Sequence, residues 1–518
     1  MPMRCSAWPM RRPVQVQSSE GLDVYGAVTW GQPFVYQGFN RDIGWMHTSS
    51  GLDNRDEFAE TLVRMPGGKL GTKYGDGVRP IEQRPVAIRV RQADGSLAIR
   101  RFVTLHSLHG PIVRSEGGKL IAYSILDDPL NALEQSFLRT KAKNLDDFLK
   151  VSARRANSSN NTIFASRDGT IAYLHPQFVP LRDERIDYRW TVDGSNPKAD
   201  WRGLYTLDGL PMVRNPRSGF VYNSNDAPWM AAGKGTFGDR HFAPYMDQWG
   251  YRARSTHALQ LLDNGRTFTP ESLIATAYDT AQPGFDRILP PLFAAYDALP
   301  KRDARRLSLA PQVAMLKGWD RRWAKDSEAQ TLAVHYGEAI WDKVMTGVRT
   351  TTDEETAYAR IGEADAATRL AALDAAIAKM TGLYGGWRVK WGDINRYQRN
   401  DGAIRQTFDD AKPSLAVGFP SARWGSLASF GASTYPGTVK RYGTNGNSFV
   451  AVVEFAKDGP RAWAVTAGGV NGDPASPHFT DQAQAYADGH LIRVPLTDAE
   501  VAAQAVETYT PGMMRKTR

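Results

Sequence analysis

The first half of the chain alternates β-forming and polar side chains between turn residues. Residues 86–91 and 97–105 are two such runs, and the dipeptide Asp94-Gly95 between them is typical of a hairpin turn. A second hairpin is predicted from residues 161–165 and 171–174. Further β-forming residues predict strands between positions 25 and 36 and from 43 to 48. The N-terminal half is therefore expected to consist mainly of strands.

Helical spacing occurs in one insert within this half. Leu130, Leu133, Phe137 and Leu138 recur at positions that share one face of a helix. Asn144 follows and is placed to cap a second helix.

The region of about 270–382 shows helical spacing over a longer stretch. Leu370, Leu373, Ile377 and Met380 form one stripe, and strands return at 449–455 and 462–466. No internal repeat and no domain boundary is visible. Strand-rich ends around a helical middle predict one α+β unit.

Composition and charge exclude several classes of protein. Hydrophobic residues make up 42% and charged residues 23% of the 518 residues, which is typical of a globular chain with a sizeable core. The net charge of +9 is spread without a basic block, so a nucleic-acid partner is not expected. The single cysteine, Cys5, excludes an intramolecular disulfide. No apolar run is long enough to span a membrane, and residues 1–17 lack the apolar core of a secretory signal.

Four motifs follow one another along the chain. Each is a weak signal alone, but their order is specific. They are Gly38-Phe-Asn-Arg-Asp-Ile-Gly-Trp-Met-His-Thr-Ser-Ser50 with the acidic stretch Asp53 to Glu60, His109-Gly-Pro-Ile-Val113, Asn223-Ser-Asn-Asp-Ala-Pro-Trp229, and Gly468-Gly-Val-Asn-Gly-Asp-Pro-Ala-Ser-Pro-His478.

Together these motifs resemble the signatures of the penicillin acylase family, whose members are N-terminal-nucleophile hydrolases. The resemblance covers nearly the whole chain from Gln17 onward and corresponds to the β-subunit portion. It implies a four-layer αββα sandwich of two antiparallel sheets between helical layers, with a helical insertion. It also implies that a linear amide is hydrolysed through an acyl-enzyme. The nucleophile is then an N-terminal serine whose own α-amine acts as base.

The resemblance assigns roles to three residues. Asn225 falls on the oxyanion asparagine of the family, and Ser49 falls where a backbone N–H is the second oxyanion donor. Arg254 falls on the arginine that orients the asparagine. One such oxyanion donor is typically worth roughly 2.7–4 kcal/mol. Without the resemblance, Asn225 would be interpreted as a turn residue, Ser49 as a loop serine and Arg254 as an ion-pair partner.

A metal site is also implied. Asp53 and Asp56 align with calcium-binding aspartates of some family members, although no cofactor is required for the chemistry. Calcium takes about six to eight oxygen ligands, so further donors from another subunit would be needed. His109 is interpreted as a structural histidine at the end of a strand.

The segment before Gln17 departs from the family pattern. Prolines and basic residues fill positions 1–13, where the family has its serine, and proline is excluded from a buried central strand. Residues 1–16 are therefore interpreted as a non-family segment and 17–518 as the family domain, without its first strands, its serine and the α-subunit. The strands at 25–36 and 43–48 are then expected to lack a neighbour. Cys5 and Ser6 are not favoured as replacement nucleophiles, because the segment after them is too short for the family's hairpin.

Three functions stay open at this stage. The chain can be a hydrolase of small acyl amides such as a β-lactam or an N-acyl-homoserine lactone. It can instead be half of an enzyme that needs a separately encoded α-subunit, or a non-catalytic module that binds acyl ligands. Family members are typically periplasmic or secreted, but the localisation of this chain stays open.

Overall fold

The computed structural model describes residues 11–29, 31–157, 160–238, 240–247, 249–250, 252–348, 354–400, 407–510 and 512. Cys5 and Ser6 lie outside the described residues. The strands, in chain order, are β1 (Arg11–Ser18), β2 (Leu22–Thr29), β3 (Val35–Asn40), β4 (Ile43–Ser49), β5 (Asp56–Glu60), β6 (Leu62–Arg64), β7 (Leu70–Tyr74), β8 (Gly77–Pro80), β9 (Glu82–Arg91), β10 (Leu97–Ser107), β11 (Gly110–Glu116), β12 (Lys119–Ser124), β13 (Asn160–Ser166), β14 (Ile171–Leu174), β15 (Val192–Asp193), β16 (Met212–Arg214), β17 (Asn395–Tyr397), β18 (Leu415–Ala416), β19 (Phe430–Ser433), β20 (Arg441–Gly446), β21 (Phe449–Ala456), β22 (Gly459–Thr466) and β23 (Ile492–Arg493). The helices are α1 (Pro129–Leu138), α2 (Leu145–Ser152), α3 (Ala253–Leu262), α4 (Pro270–Ala277), α5 (Gly284–Asp297), α6 (Ala304–Lys317), α7 (Glu328–Met345), α8 (Glu354–Glu363), α9 (Ala366–Tyr384), α10 (Trp391–Ile394), α11 (Ala483–Asp488) and α12 (Asp498–Gln504).

A seven-stranded sheet positions the first motif. Its strand order is β1-β2-β3-β4-β13-β14-β16, and every pair in it is antiparallel. Residues alternate between buried and half-buried along β4, as a strand packed on both faces requires. The register pairs Ser49, the last residue of β4, with Asn160 of β13. The sheet therefore holds the backbone up to residue 49 in a fixed strand conformation.

Both faces of this sheet are covered. On one face Trp45 and Phe164 pack with Phe148 of α2. On the other face Phe39 packs with Ala462 of β22. The opposite side of β22 belongs to a cluster that includes residues of α11. The mixed α+β fold with several sheets is confirmed, whereas the exact four-layer division stays a prediction.

The expectation that the strands of the first motif lack a neighbour is wrong. β2 is paired with β1 on one side and β3 on the other, and β4 lies between β3 and β13. β1 also runs across the predicted boundary between residues 16 and 17. It lies at the sheet edge, where the missing N–H of Pro13 is tolerated, so the argument against a central strand does not apply.

The predicted hairpin forms the outer end of a second sheet. That six-stranded sheet has the order β15-β5-β12-β11-β10-β9, so β9 is an edge strand. Almost all side chains of β9 and most of β10 are exposed. The hairpin therefore projects away from the core as an arm, and we call residues 82–107 the β9–β10 arm.

The central helices lie where the sequence pattern predicts them. The stripe on α9 is buried at Leu370, Leu373 and Met380, in a large cluster shared with α5 and α7. α9 ends at Tyr384, two residues beyond the predicted end of the helical region, and is followed by Gly385 with a left-handed φ of 78°. No helix of the described residues is long and apolar enough to cross a membrane.

The two helices of the N-terminal half gave different outcomes. Asn144 caps α2 as predicted, because its side chain accepts a hydrogen bond from the N–H of Asp147. The apolar face of α1 points outward, however: Leu130 is 74% exposed and Leu133 48%. The inward positions are polar, namely Gln135 and Ser136.

Candidate functional site

The first component of the site is the end of β4. Ser49 is exposed at the strand end, and Ser50 is buried directly after it. The hydroxyl of Thr48 donates to Oδ1 of Asn223, and the Ser50 hydroxyl donates to Oε1 of Gln177 at 3.1 Å. The backbone is thus held on both sides of residue 49.

The second component is the loop of the third motif. Asn225 lies in it with a left-handed φ of 61°. Its N–H donates to Oδ1 of Asn223 at 2.9 Å. Buried Asp226 closes the loop, accepting bonds from the Ser224 N–H and the Tyr222 hydroxyl, both at 2.9 Å. Side-chain bonds of this kind stabilise a turn in the left-handed conformation.

The two components meet through Asn225. Its Nδ2 donates to the carbonyl oxygen of Ser49 at 3.0 Å, across 176 positions of sequence. Arg254, in the first turn of α3, donates from one terminal nitrogen to Oδ1 of Asn225 at 2.6 Å and to the Ser224 carbonyl at 2.5 Å. Because a guanidinium has only donors, it fixes which end of the amide is the oxygen. The NH2 end of Asn225 therefore faces residue 49.

Arg254 lies in a desolvated position. Burial lowers its pKa, and the neighbouring cation Arg252 lowers it further. A buried guanidinium is retained where it has acceptors for its N–H groups, and here these are Asn225 Oδ1 and the Ser224 carbonyl. The three residues that the sequence singled out are thus brought together in one hydrogen-bonded group.

A second asparagine, Asn161, supports the same group from behind. Its Nδ2 lies 3.3 Å from the Ser49 carbonyl and 3.2 Å from Asn223 Oδ1. Its Oδ1 accepts from the Tyr173 hydroxyl at 2.6 Å and from Nδ1 of His175 at 3.1 Å. Sequence reasoning missed Asn161. The available signal was a polar pair, Asn160-Asn161, at the start of an otherwise apolar strand.

His175 is neutral in this network. Burial lowers its pKa to about 3. A neutral imidazole has one donor and one acceptor nitrogen. The contacts suit a proton on Nδ1, facing Asn161, while Nε2 accepts from Gln177 at 3.0 Å. The network behind residue 49 is therefore uncharged and fully oriented.

Asp247 closes the other side of the site. It accepts from the Gly51 N–H at 3.2 Å and from the Trp249 N–H at 2.8 Å. Gly51 is packed so tightly against Asp247 and Trp249 that a side chain would not fit there. Burial raises the pKa of Asp247 to about 7, with a further contribution from nearby Asp226.

This arrangement can stabilise negative charge on an oxygen atom. The Asn225 amide has two N–H groups, of which one is directed at Ser49, and its orientation is set before any ligand binds. Donors that are already oriented cost no reorganisation when charge develops. His175 is a weak base in this position, because burial lowers its pKa to about 3 and both of its ring nitrogens are engaged.

The predicted metal ligands lie in a different environment. Arg182 reaches both carboxylates: its NH1 is 3.3 Å from Asp53 Oδ2 and its Nε is 3.1 Å from Asp56 Oδ2. Among the described residues, no group of three or more His, Cys, Asp or Glu side chains could hold a metal ion. The guanidinium between the two carboxylates supplies the positive charge that calcium would bring, so these residues do not fit that ion.

His109 is buried between two acids, in keeping with a structural role. Its Nδ1 is 2.8 Å from Glu60 Oε1 and its Nε2 is 3.0 Å from Asp200 Oδ1. The ring stacks on Phe58 with centroids 3.9 Å apart.

Comparisons with known proteins bear on the family and the fold. The sequence profile of the penicillin amidase family matches residues 7–503. The chain is 28% identical over 540 residues to acyl-homoserine lactone acylase PvdQ of Pseudomonas syringae pv. syringae, covering 93% of this chain and 64% of the relative. It is 28% identical over 316 residues to penicillin G acylase of Escherichia coli, covering 58% of this chain and 35% of that protein.

A solved structure shows the same fold. The thermostable penicillin G acylase from Alcaligenes faecalis superposes with a TM-score of 0.70 at 19% identity, covering 99% of this chain and 95% of the other. The chain spans 64% of the length of the Pseudomonas syringae relative.

Proposed function

Because the chain belongs to the penicillin amidase family, we propose that it is the oxyanion-binding part of an acylase that hydrolyses linear amides. The observation that carries this proposal is the placement of the Asn225 amide against residue 49 under the control of Arg254. The proposed substrate class is a small acyl amide. The two relatives are named as acylases of an acyl-homoserine lactone and of penicillin G.

In the proposed reaction a serine oxygen attacks the amide carbonyl. The carbonyl oxygen becomes negatively charged in the tetrahedral intermediate and is stabilised by Asn225 Nδ2 and the backbone N–H of residue 49. Arg254 does not touch the substrate; it keeps the amide of Asn225 in the donating orientation. The α-amine of the serine takes the hydroxyl proton during the attack and passes it to the nitrogen of the leaving amine. Water then hydrolyses the acyl-enzyme that remains.

We place the nucleophile outside the described residues. The proposed mechanism needs a serine at a chain N-terminus, whose α-amine acts as the base. In this proposal the chain corresponds to the β-subunit portion, and a further polypeptide supplies the serine-bearing strand and the α-subunit.

Exposed apolar surfaces support the proposal of a partner polypeptide. In the β9–β10 arm, Ile99 is 56% exposed and Val103 59%. The outward face of α1 adds Leu130 and Leu133. Exposed apolar side chains grouped on one element are typical of a surface that binds another chain.

The experiment is an assay of amine release from an N-acyl-homoserine lactone and from a phenylacetyl amide. It uses the chain together with the serine-bearing polypeptide that the proposal requires. Asn225→Gly removes the amide but suits the left-handed backbone. We expect the rate to fall about 10²–10³-fold. Asn215→Gly is the matched control, because Asn215 also has a positive φ, of 44°, and lies on the surface.

The outcomes separate the candidate functions. A wild-type rate in Asn225→Gly would contradict the proposal. Binding of both ligands by isothermal titration, without release of amine under any condition, would instead favour an acyl-binding module. Absence of both binding and hydrolysis would remove the support for either function.

A further inference from the structure

Arg182 is a fully buried cation at the base of the loop that follows Ser49. Its side chain has 0% exposure, and that of Asp56 has 1%. One terminal nitrogen donates to the backbone carbonyl of Asp53 at 2.6 Å. The contacts of its Nε and NH1 with the two carboxylates lack hydrogen-bond geometry, so they are electrostatic in nature.

Two aromatic rings and two carboxylates surround the guanidinium of Arg182. The rings of Tyr188 and Tyr245 lie 4.8 and 4.9 Å from the guanidinium carbon. Aromatic faces attract a cation, most strongly where water is excluded. On the far side, the indole N–H of Trp201 donates to Oδ2 of Asp56 at 2.5 Å. The guanidinium is therefore held between two rings and two acids.

The oxygen atoms that Arg182 contacts are those a divalent cation would use. They are one carboxylate oxygen from Asp53, one from Asp56 and the carbonyl of Asp53. Carboxylate and carbonyl oxygens are also the ligands that calcium prefers. A buried carboxylate pair needs a counter-charge, and here it comes from the polypeptide.

The position of the loop connects this cation with the site. Residues 50–55 join β4 to β5, and Ser49 is the last residue of β4. Arg182 fixes the far end of this loop, as Ser50 and Gly51 fix its near end through Gln177 and Asp247. The loop is therefore tethered at both ends.

We propose that Arg182 is a built-in substitute for a bound calcium ion. It holds Asp53 and Asp56 together and thereby positions the loop after Ser49, so the fold of this chain is independent of divalent cations. The proposal does not depend on the acylase function, since it concerns the loop whether or not the chain turns over a substrate.

The experiment measures the apparent Tm of the full chain in EDTA, in calcium and in magnesium. For the wild type we expect the same Tm in all three. Arg182→Gln removes the buried cation between Asp53 and Asp56, and we expect its Tm to fall by at least about 5 °C. Calcium, but not magnesium, should raise the Tm of that variant, because the oxygen atoms become free. Arg185→Gln is the matched control: Arg185 is exposed nearby and pairs with Asp183, so its loss should change little.

Further variants keep the proposal testable if Arg182→Gln does not fold. Adding Asp53→Asn and Asp56→Asn to Arg182→Gln removes the need for a cation, and we expect this triple variant to be more stable than the single one. A wild-type Tm that falls in EDTA, or that rises in calcium, would overturn the proposal. So would an Arg182→Gln variant with the wild-type Tm, or one that calcium does not stabilise.

Discussion

Asn225 combines two properties that few other residues share. Its φ of 61° is in the left-handed region, which asparagine adopts more readily than most residues other than glycine. Its side chain has a donor end and an acceptor end, and Arg254 occupies the acceptor. Alanine would strain the backbone, and glycine would lose the donor. The physical demands on this position therefore agree with the role that the family resemblance assigns to it.

Asp247 gives the site a dependence on pH that can be measured. Its carboxyl has a pKa of about 7 in the folded chain, raised by burial from its usual 3.8. Between these values the folded state binds a proton that the unfolded state does not, so this group makes stability fall as pH rises through the window. The groups that influence it are Asp226 and Arg252, besides the N–H groups of Gly51 and Trp249.

We therefore predict that Asp247→Asn flattens the pH dependence of unfolding. The wild type should lose stability from pH 5 to pH 8 as Asp247 gives up its proton. The variant should lose less, because asparagine cannot ionise. Urea unfolding at both pH values measures this, with Asp76→Asn in an exposed turn as the control. If the free energy of unfolding differed between pH 5 and pH 8 by the same amount in the variant and the wild type, Asp247 would not titrate in this range.

At the scale of elements, buried polar contacts join segments that sequence separates. Glu60 ends β5, His109 lies in the turn between β10 and β11, and Asp200 lies in a later loop. His109 connects all three through its two ring nitrogens. Burial alone would lower its pKa, but the hydrogen bonds to Glu60 and Asp200 outweigh it, so the pKa of His109 is raised.

This contact should stabilise the second sheet most strongly at acid pH. A histidine whose pKa is raised by folding contributes fully below its unfolded value of about 6.5, and the contribution is lost as pH rises through the folded value. We predict that His109→Gln lowers stability by roughly 1–3 kcal/mol at pH 6 and by less at pH 9. Thermal unfolding at the two pH values checks this, with the exposed His490→Gln as control. A loss that is larger at pH 9 would contradict the assignment.

At the scale of the whole molecule, the β9–β10 arm exposes several apolar side chains to solvent. Leu97, Ile99 and Val103 lie on the same face of β10 and are all more than half exposed. β9 beside it is an unpaired edge, although Arg89 and Arg91 place charge along it. An arm of this kind is suited to pairing with another chain.

We predict that the chain purified by itself associates through this arm as its concentration rises. The double substitution Ile99→Thr with Val103→Thr should reduce the association, because it removes apolar surface while keeping β-branched residues. Its Tm should stay the same, since both side chains are exposed. Sedimentation velocity over a concentration series is the measurement. Leu307→Thr, on α6 and 64% exposed, is the control. A monomer at every concentration would contradict the prediction.

Most helices and strands, and the positions of the site residues, follow from patterns in the sequence. The turn at Asp94-Gly95, the cap at Asn144 and the stripe on α9 depend on residues a few positions apart, so a local pattern is sufficient to predict them. The family motifs selected Asn225, Ser49 and Arg254, and the structure brings these three together. Their catalytic roles stay predictions.

Contacts between residues that are far apart in the sequence depend on the tertiary structure. The contact of Arg182 with Asp53 spans 129 positions, and that of Asn161 with Ser49 spans 112. The outward face of α1 was likewise decided by what packs beside it, because spacing defines a face but not its direction. A local sequence pattern does not predict such partners. The energy of a buried polar contact depends on a neighbour that comes close only when the chain folds.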